Sequence, residues 1–172
     1  MNARLAPIFA RRSVRRYTGE AVTDGEIRDL LEAAMAAPSA VAKDPWEFLV
    51  LRDRAALDQL ADGLPNGQML RQAAAAIVVC GDPARAHRNL ESYLLQDCSA
   101  AVENLLVAAA ALGLGACWLG VHPTKDRMDH IRKLFGVPAA ILPVAAVALG
   151  RPAEFPGPRT RYRDEAVHAG KW

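Results

Sequence analysis

Ala101-Val102-Glu103-Asn104-Leu105-Leu106-Val107-Ala108-Ala109-Ala110-Ala111-Leu112 runs directly into Gly113-Leu114-Gly115-Ala116-Cys117-Trp118-Leu119-Gly120. The first dodecamer is apolar on nearly every helical face, so it predicts a central, buried helix. Extended back to Asn89, that helix spans 24 residues, about 36 Å at the standard rise. Its alanines let a second helix approach closely, from the same subunit or another one. The octapeptide that follows reads as a turn at Gly113 and then a strand from Gly115 to Gly120.

Working outward, the same alternation of helix and strand recurs on both sides. A short helix is predicted over residues 3–10. Thr23-Asp24-Gly25-Glu26 is a capping box: a hydroxyl sits at the N-cap and a carboxylate three residues on. It opens a helix with Ile27, Leu30, Leu31 and Ala34 at helical spacing, stopped by Pro38. Glu47 to Arg52 reads as a strand, Arg54 to Ala61 as a helix, and Ala75 to Cys80 as a buried strand. Thr124 to Phe135 is a helix ended by Gly136 and Pro138, and Pro143 to Leu149 is the last strand. No Gly-rich turn follows the first strand, so neither a dinucleotide fingerprint nor a phosphate loop is present. The pattern predicts an α+β layer with a sheet between helices. After Gly150, residues 151–163 carry three prolines and four arginines with no apolar period. That predicts an extended arm over 151–172 that needs a partner surface to be ordered.

The 172 residues fit one domain over 1–172, long enough for a real core. A hydrophobic share of 52% with 23% charged residues is that of a soluble globular chain. With a net charge of +2 and only 6% aromatics, a dedicated nucleic-acid binder is disfavoured. Cys80, Cys98 and Cys117 fit neither a disulfide framework nor a zinc site, which points to a reducing cytosol. Residues 1–10 do not form a signal peptide. Glu103, Asn104 and the glycines make Ala100 to Leu119 too polar for a bilayer.

The charge is concentrated at the ends. Arg11-Arg12-Ser13-Val14-Arg15-Arg16-Tyr17 packs four arginines and a hydroxyl into seven residues, and Arg151, Arg159, Arg161 and Arg163 repeat the bias. Guanidinium groups bind phosphate through paired, charge-assisted donors, so one anionic ligand held from both ends fits the pattern. A solvated basic edge or a nucleic-acid patch produces the same charge run. Hydrolytic nucleophiles find no support, because no serine lies in an elbow context. His122 and His130 are eight residues apart across a turn, which is poor metal spacing, and no metal is expected. Asp97 and Glu103 are six apart on one helix and so do not share a face. Cys117 sits in the buried strand and reads as an inert core thiol.

RRSVRRY and GLGACWLG occur together in one chain with Ala37-Pro38-Ser39-Ala40, Asp44-Pro45-Trp46-Glu47-Phe48, Asn66-Gly67-Gln68-Met69-Leu70 and Thr160-Arg161-Tyr162-Arg163. In this order and spacing the chain resembles the nitroreductase family of FMN-dependent oxidoreductases from about residue 8 onward. The resemblance implies a mixed sheet flanked by helices, assembled as an intertwined homodimer with FMN at the interface. It implies that Arg11, Arg12, Ser13 and Arg15 hold the FMN phosphate and ribityl chain, with Arg161 of the arm adding charge. Pro38, Ser39 and Ala40 would lie against the isoalloxazine from the other subunit. Leu119 and Gly120 would offer backbone groups at its reactive edge, and Asn66 or Gln68 would reach its polar rim. The activity implied is NAD(P)H-driven reduction of nitroaromatic, quinone or related small acceptors by a ping-pong route, in the cytoplasm. The chemistry belongs to the cofactor, so no catalytic side chain is nominated. A non-catalytic FMN carrier of the same fold is the alternative. Ala42 and Asp44 depart from the Asn and Gln common in the family, which removes one side-chain donor and introduces a negative charge.

Overall fold

The computed structural model describes residues 2–172. In chain order it contains α1 (Ala6–Ala10), α2 (Asp24–Met35), β1 (Trp46–Leu51), α3 (Arg54–Asp62), β2 (Ala75–Gly81), α4 (Glu91–Ala111), β3 (Gly115–Gly120), α5 (Lys125–Phe135) and β4 (Leu142–Gly150). The four strands form one sheet in the order β1-β2-β4-β3, with every neighbouring pair antiparallel. Its parallel component is the bridge between Ser13 and Ala116. The expected mixed sheet is thus antiparallel among its four strands and mixed only through the N-terminal stretch.

Residue parity divides the core. Side chains alternate between faces along a strand, and the odd residues Ala75, Ile77, Val79, Ala145, Val147 and Leu149 pack with α2 and α4. The even residues Ala76, Val78, Cys80, Ala146 and Ala148 pack with α3 and Ile131 of α5. β2 is buried along its whole length, which explains why AAIVVCG reads as a continuous apolar run without alternation. α4 is long and apolar enough by composition to cross a membrane. Here its Leu94, Cys98, Leu105 and Ala109 fill the core beneath the sheet.

Local chemistry sets the element ends. The Thr23 hydroxyl accepts from the Glu26 N–H while the Glu26 carboxylate accepts from the Thr23 N–H at 2.8 Å, closing the capping box. Gly136 ends α5 in the left-handed region with φ 67°, where glycine carries no side-chain penalty. Gly150 serves close packing instead: a Cβ there would lie 2.9 Å from Tyr17 Cδ1.

The arm differs from expectation in its first half. Arg15 N–H donates to Glu154 Oε1 at 2.7 Å, Ala153 N–H to Arg16 O at 2.9 Å, and Arg159 N–H to Phe9 O at 3.1 Å. The two basic termini therefore run together within one chain, and the arm needs no second molecule to begin its course. Along the arm Phe155, Tyr162, Val167 and Trp172 stand exposed, Phe155 by 84%.

Candidate functional site

A cavity of about 390 Å³ opens on the α3/α5 side of the sheet. β3 forms one wall with Cys117, Trp118, Leu119 and Gly120; Leu64, Pro65, Asn66 and Met69, following α3, form another; Arg15 and Arg127 complete it. The wall contains no acidic residue. Arg127 donates from a terminal nitrogen to Gly120 O at 2.7 Å, and Arg15 donates to Ser13 O at 3.5 Å. Among the described residues neither guanidinium has a carboxylate within 4.0 Å, whereas Arg11, Arg52, Arg54, Arg71, Arg85, Arg132 and Arg151 are all paired. Two guanidiniums outside any ion pair on an acid-free wall give this cavity a charge that could receive an anion.

Of the residues singled out in the sequence, Arg15, Asn66, Leu119 and Gly120 line this cavity. Gln68 does not line the cavity, and its amide oxygen accepts from Arg71 Nε at 3.1 Å. Arg11 is turned to α4, with Nε 3.2 Å from Glu103 Oε1. Arg12 donates to Gly157 O and borders a separate crevice of about 240 Å³ between α4 and the arm. Ser13 is fixed by its bridge to Ala116. Arg161 is exposed on the arm.

Pro38, Ser39 and Ala40 lie apart from this cavity. They follow α2, and Ala40 N–H donates to Asp97 Oδ1 of α4 at 2.9 Å. Their neighbour Ala37 belongs to the core on the α2/α4 face, opposite the cavity's Cys117 and Leu119. One chain therefore does not bring residues 38–40 to its own cavity.

Three features escaped the sequence reading. Asp97 is the one buried charged residue among the described residues, 4% exposed, and its Oδ2 has no partner. The segment that it holds is strained: Val41, Ala42 and Asp44 have φ of 50°, 53° and 47°, a region that suits Asp far better than β-branched Val. Arg127 is the third, and it had a readable signal. A basic residue in the first turn of a helix opposes the helix dipole, so its presence there asks for another reason. Cys117 is buried, and that burial raises its thiol pKa, in line with a core thiol.

Residues 8–64 and 56–151 match the model of the Nitroreductase family. The chain belongs to the nitroreductase family. A protein of Archaeoglobus fulgidus, provisionally named an NADH dehydrogenase/NAD(P)H nitroreductase, is 43% identical over 171 residues and 98% of each chain. A crystal structure of a provisionally so-named protein from Bacteroides thetaiotaomicron superimposes with a TM-score of 0.93 at 43% identity, over 100% of this chain and 99% of the other. A nitroreductase-like protein from Desulfovibrio desulfuricans, solved with FMN, has a TM-score of 0.84 at 36% identity over 100% and 99% of the chains. The nitroreductase fold thus accounts for the whole described chain, and its α+β architecture agrees with the sequence reading.

Proposed function

We propose that this nitroreductase-family chain is an FMN-dependent NAD(P)H oxidoreductase that reduces small acceptors such as nitroaromatics or quinones by alternating, ping-pong half-reactions. The observation that carries it is the acid-free cavity beside β3, with the Arg15 guanidinium free of any ion pair at the end where the N-terminal stretch meets the strand. FMN fits this donor set: its phosphate is the dianion that such a wall lacks, and its flat ring suits the apolar surface of Leu64, Met69 and Leu119. When bound, FMN takes up an electron pair from the nicotinamide and releases it to the acceptor.

The chain's own residues bind and orient. Arg15, with Ser13 two residues before it, would hold the phosphate, and Arg12 would join them if its side chain leaves Gly157 O. Leu119 and Gly120 would fix the ring through backbone groups, with Asn66 at its rim. Arg11, Gln68 and Arg161 would join only if their side chains leave the positions described above. Pro38, Ser39 and Ala40 would reach the ring from a second copy, since the sheet separates them from their own cavity. A homodimer would also cover Phe155, Tyr162 and Trp172. We read residues 1–172 as one FMN-binding domain with 151–172 as its arm, working in the cytoplasm, where three unpaired thiols are at home.

The test is spectroscopic and kinetic. Purified protein should be yellow and release FMN, not FAD, on denaturation, and it should sediment as a dimer. Parallel double-reciprocal lines for NAD(P)H and a quinone support turnover by the ping-pong route. Flavin binding with no NAD(P)H consumption would leave the carrier alternative, and a colourless protein that cannot take up FMN would sink both.

A further inference from the structure

We propose that Arg127 selects electron acceptors that carry an anionic group on an aromatic ring, an inference that rests on the FMN reading above. Arg127 is the third residue of α5, where positive charge is unfavourable to the helix. It is half-buried and lines the cavity. One of its five donors is spent on Gly120 O at 2.7 Å. Its remaining donors have no hydrogen-bond partner among the described residues. The bond to Gly120 holds the guanidinium in place without neutralising it.

Position separates its role from that of Arg15. Arg15 follows the Ser13–Ala116 bridge near the start of β3, whereas Arg127 is fastened to the last residue of that strand. In the FMN reading the N-terminal stretch takes the phosphate, and Leu119 and Gly120 adjoin the reactive edge. The second positive charge is then left at the end where an acceptor must arrive. Leu64, Met69 and Leu119 line the same cavity, offering apolar surface to a flat ring beside a cation. A carboxylate on that ring accepts two parallel N–H bonds from a guanidinium, which a neutral amide cannot reproduce.

Benzoate and benzamide, which share a ring and differ in charge, separate these cases without turnover. Calorimetric titration of the FMN-loaded protein should give benzoate about tenfold tighter binding than benzamide. Arg127→Gln should bring the two ligands within about twofold of each other, and Arg127→Lys, which keeps the charge, should restore part of the preference. The FMN dissociation constant of Arg127→Gln, measured on apo-protein, should stay within about twofold of wild type. Preference for benzoate that survives Arg127→Gln, or its absence in wild type, would overturn the proposal. So would a tenfold or greater loss of FMN affinity in Arg127→Gln, which would make Arg127 a ligand of the cofactor phosphate and leave the FMN reading intact. Failure of wild type to bind FMN at all would instead refute the reading on which this one rests.

Discussion

Glu26 joins three parts of the molecule, and Glu26→Gln isolates one of its bonds. Its carboxylate closes the capping box of α2 and also receives both terminal nitrogens of Arg151, at 2.7 and 3.0 Å, where the arm begins. The substitution keeps an amide oxygen for the cap, since Gln also serves at that position, but deletes the charge that Arg151 faces. A charge-assisted bond contributes about 1.5–3 kcal/mol when protected. The pair is 30% and 19% exposed, so solvent reduces the expected loss to roughly 1–2 kcal/mol. For a chain of this size that lowers Tm by about 2–8 °C. Glu26→Ala, which loses the cap as well, should fall roughly 0.5–1 kcal/mol further. Melting curves by circular dichroism, at one protein concentration and saturating FMN, read this directly. The pH dependence has a definite sign. The Thr23 backbone N–H first, and then Arg151, hold the Glu26 carboxyl below its ordinary value of 4.5. Its stabilisation is therefore complete above that value and is lost as pH falls through the lowered one. The gap between wild type and E26Q should be full at neutral pH and close in acid. A Tm within about 1 °C of wild type at pH 7, or a gap that widens on acidification, would refute the reasoning.

Arg15→Ala should weaken FMN binding about 10- to 150-fold by removing one charge-assisted contact, with Arg16→Ala, exposed and outside the cavity, nearly silent; apo-protein titrations compare them. Burial pushes the Cys80 and Cys98 thiols up to about 12 and raises Cys117. A thiol reagent at about pH 8 should therefore label none of the three before unfolding. Asp97→Ala should cost about 1–3 kcal/mol in urea unfolding by stranding the Ala40 N–H, while Asp97→Asn, which keeps the acceptor, should lose much less. Asp44→Asn should leave the flavin midpoint potential unchanged. A rise of about 30 mV, equal to a tenfold change in the ratio of reduced to oxidised affinity, would mean that the carboxylate faces the ring.

Local chemistry was legible where it acts over a few residues. Thr23 and Glu26 lie three apart, and the capping box formed as read. α4 starts two residues later than expected, at Glu91, because Arg88 and Asn89 take φ of 56° and 55° and interrupt the helix. An asparagine reads equally well as a helix start or a left-handed turn. The arm was recognisable from its prolines. Its pairing with the N-terminal stretch was not, because those bonds are largely between backbone groups and leave no residue signature. Asp97 was judged only against Glu103 on its own helix, whereas its partner Ala40 lies 57 positions away. Of the residues that line the cavity, Arg15, Asn66, Leu119 and Gly120 were singled out because a family pattern names them, and no periodicity would have joined them. The pattern had no place for Arg127, whose signal was a charge at the wrong end of a helix.

The two departures at positions 42 and 44 make sense as turn chemistry. Ser39 Oγ donates to Asp44 Oδ1 at 2.5 Å and accepts from Asp44 N–H at 2.9 Å, while Ala42 N–H donates to Ser39 O at 3.1 Å. Arg85 fastens the same turn by donating to Asp44 O at 2.6 Å and to Glu47 at 2.7 Å. These bonds and the Asp97 contact offset the left-handed conformations of Val41, Ala42 and Asp44, which on their own cost of order 1 kcal/mol or more each. Asparagine and aspartate accept such a conformation readily, so Asp44 is spent on shaping the turn. Ala42 has no polar side chain to offer. In the dimer proposed above, this segment would therefore meet the partner's flavin with backbone groups and the exposed Val41 side chain. Polar selection of the acceptor then falls to the opposite wall, where Arg127 stands.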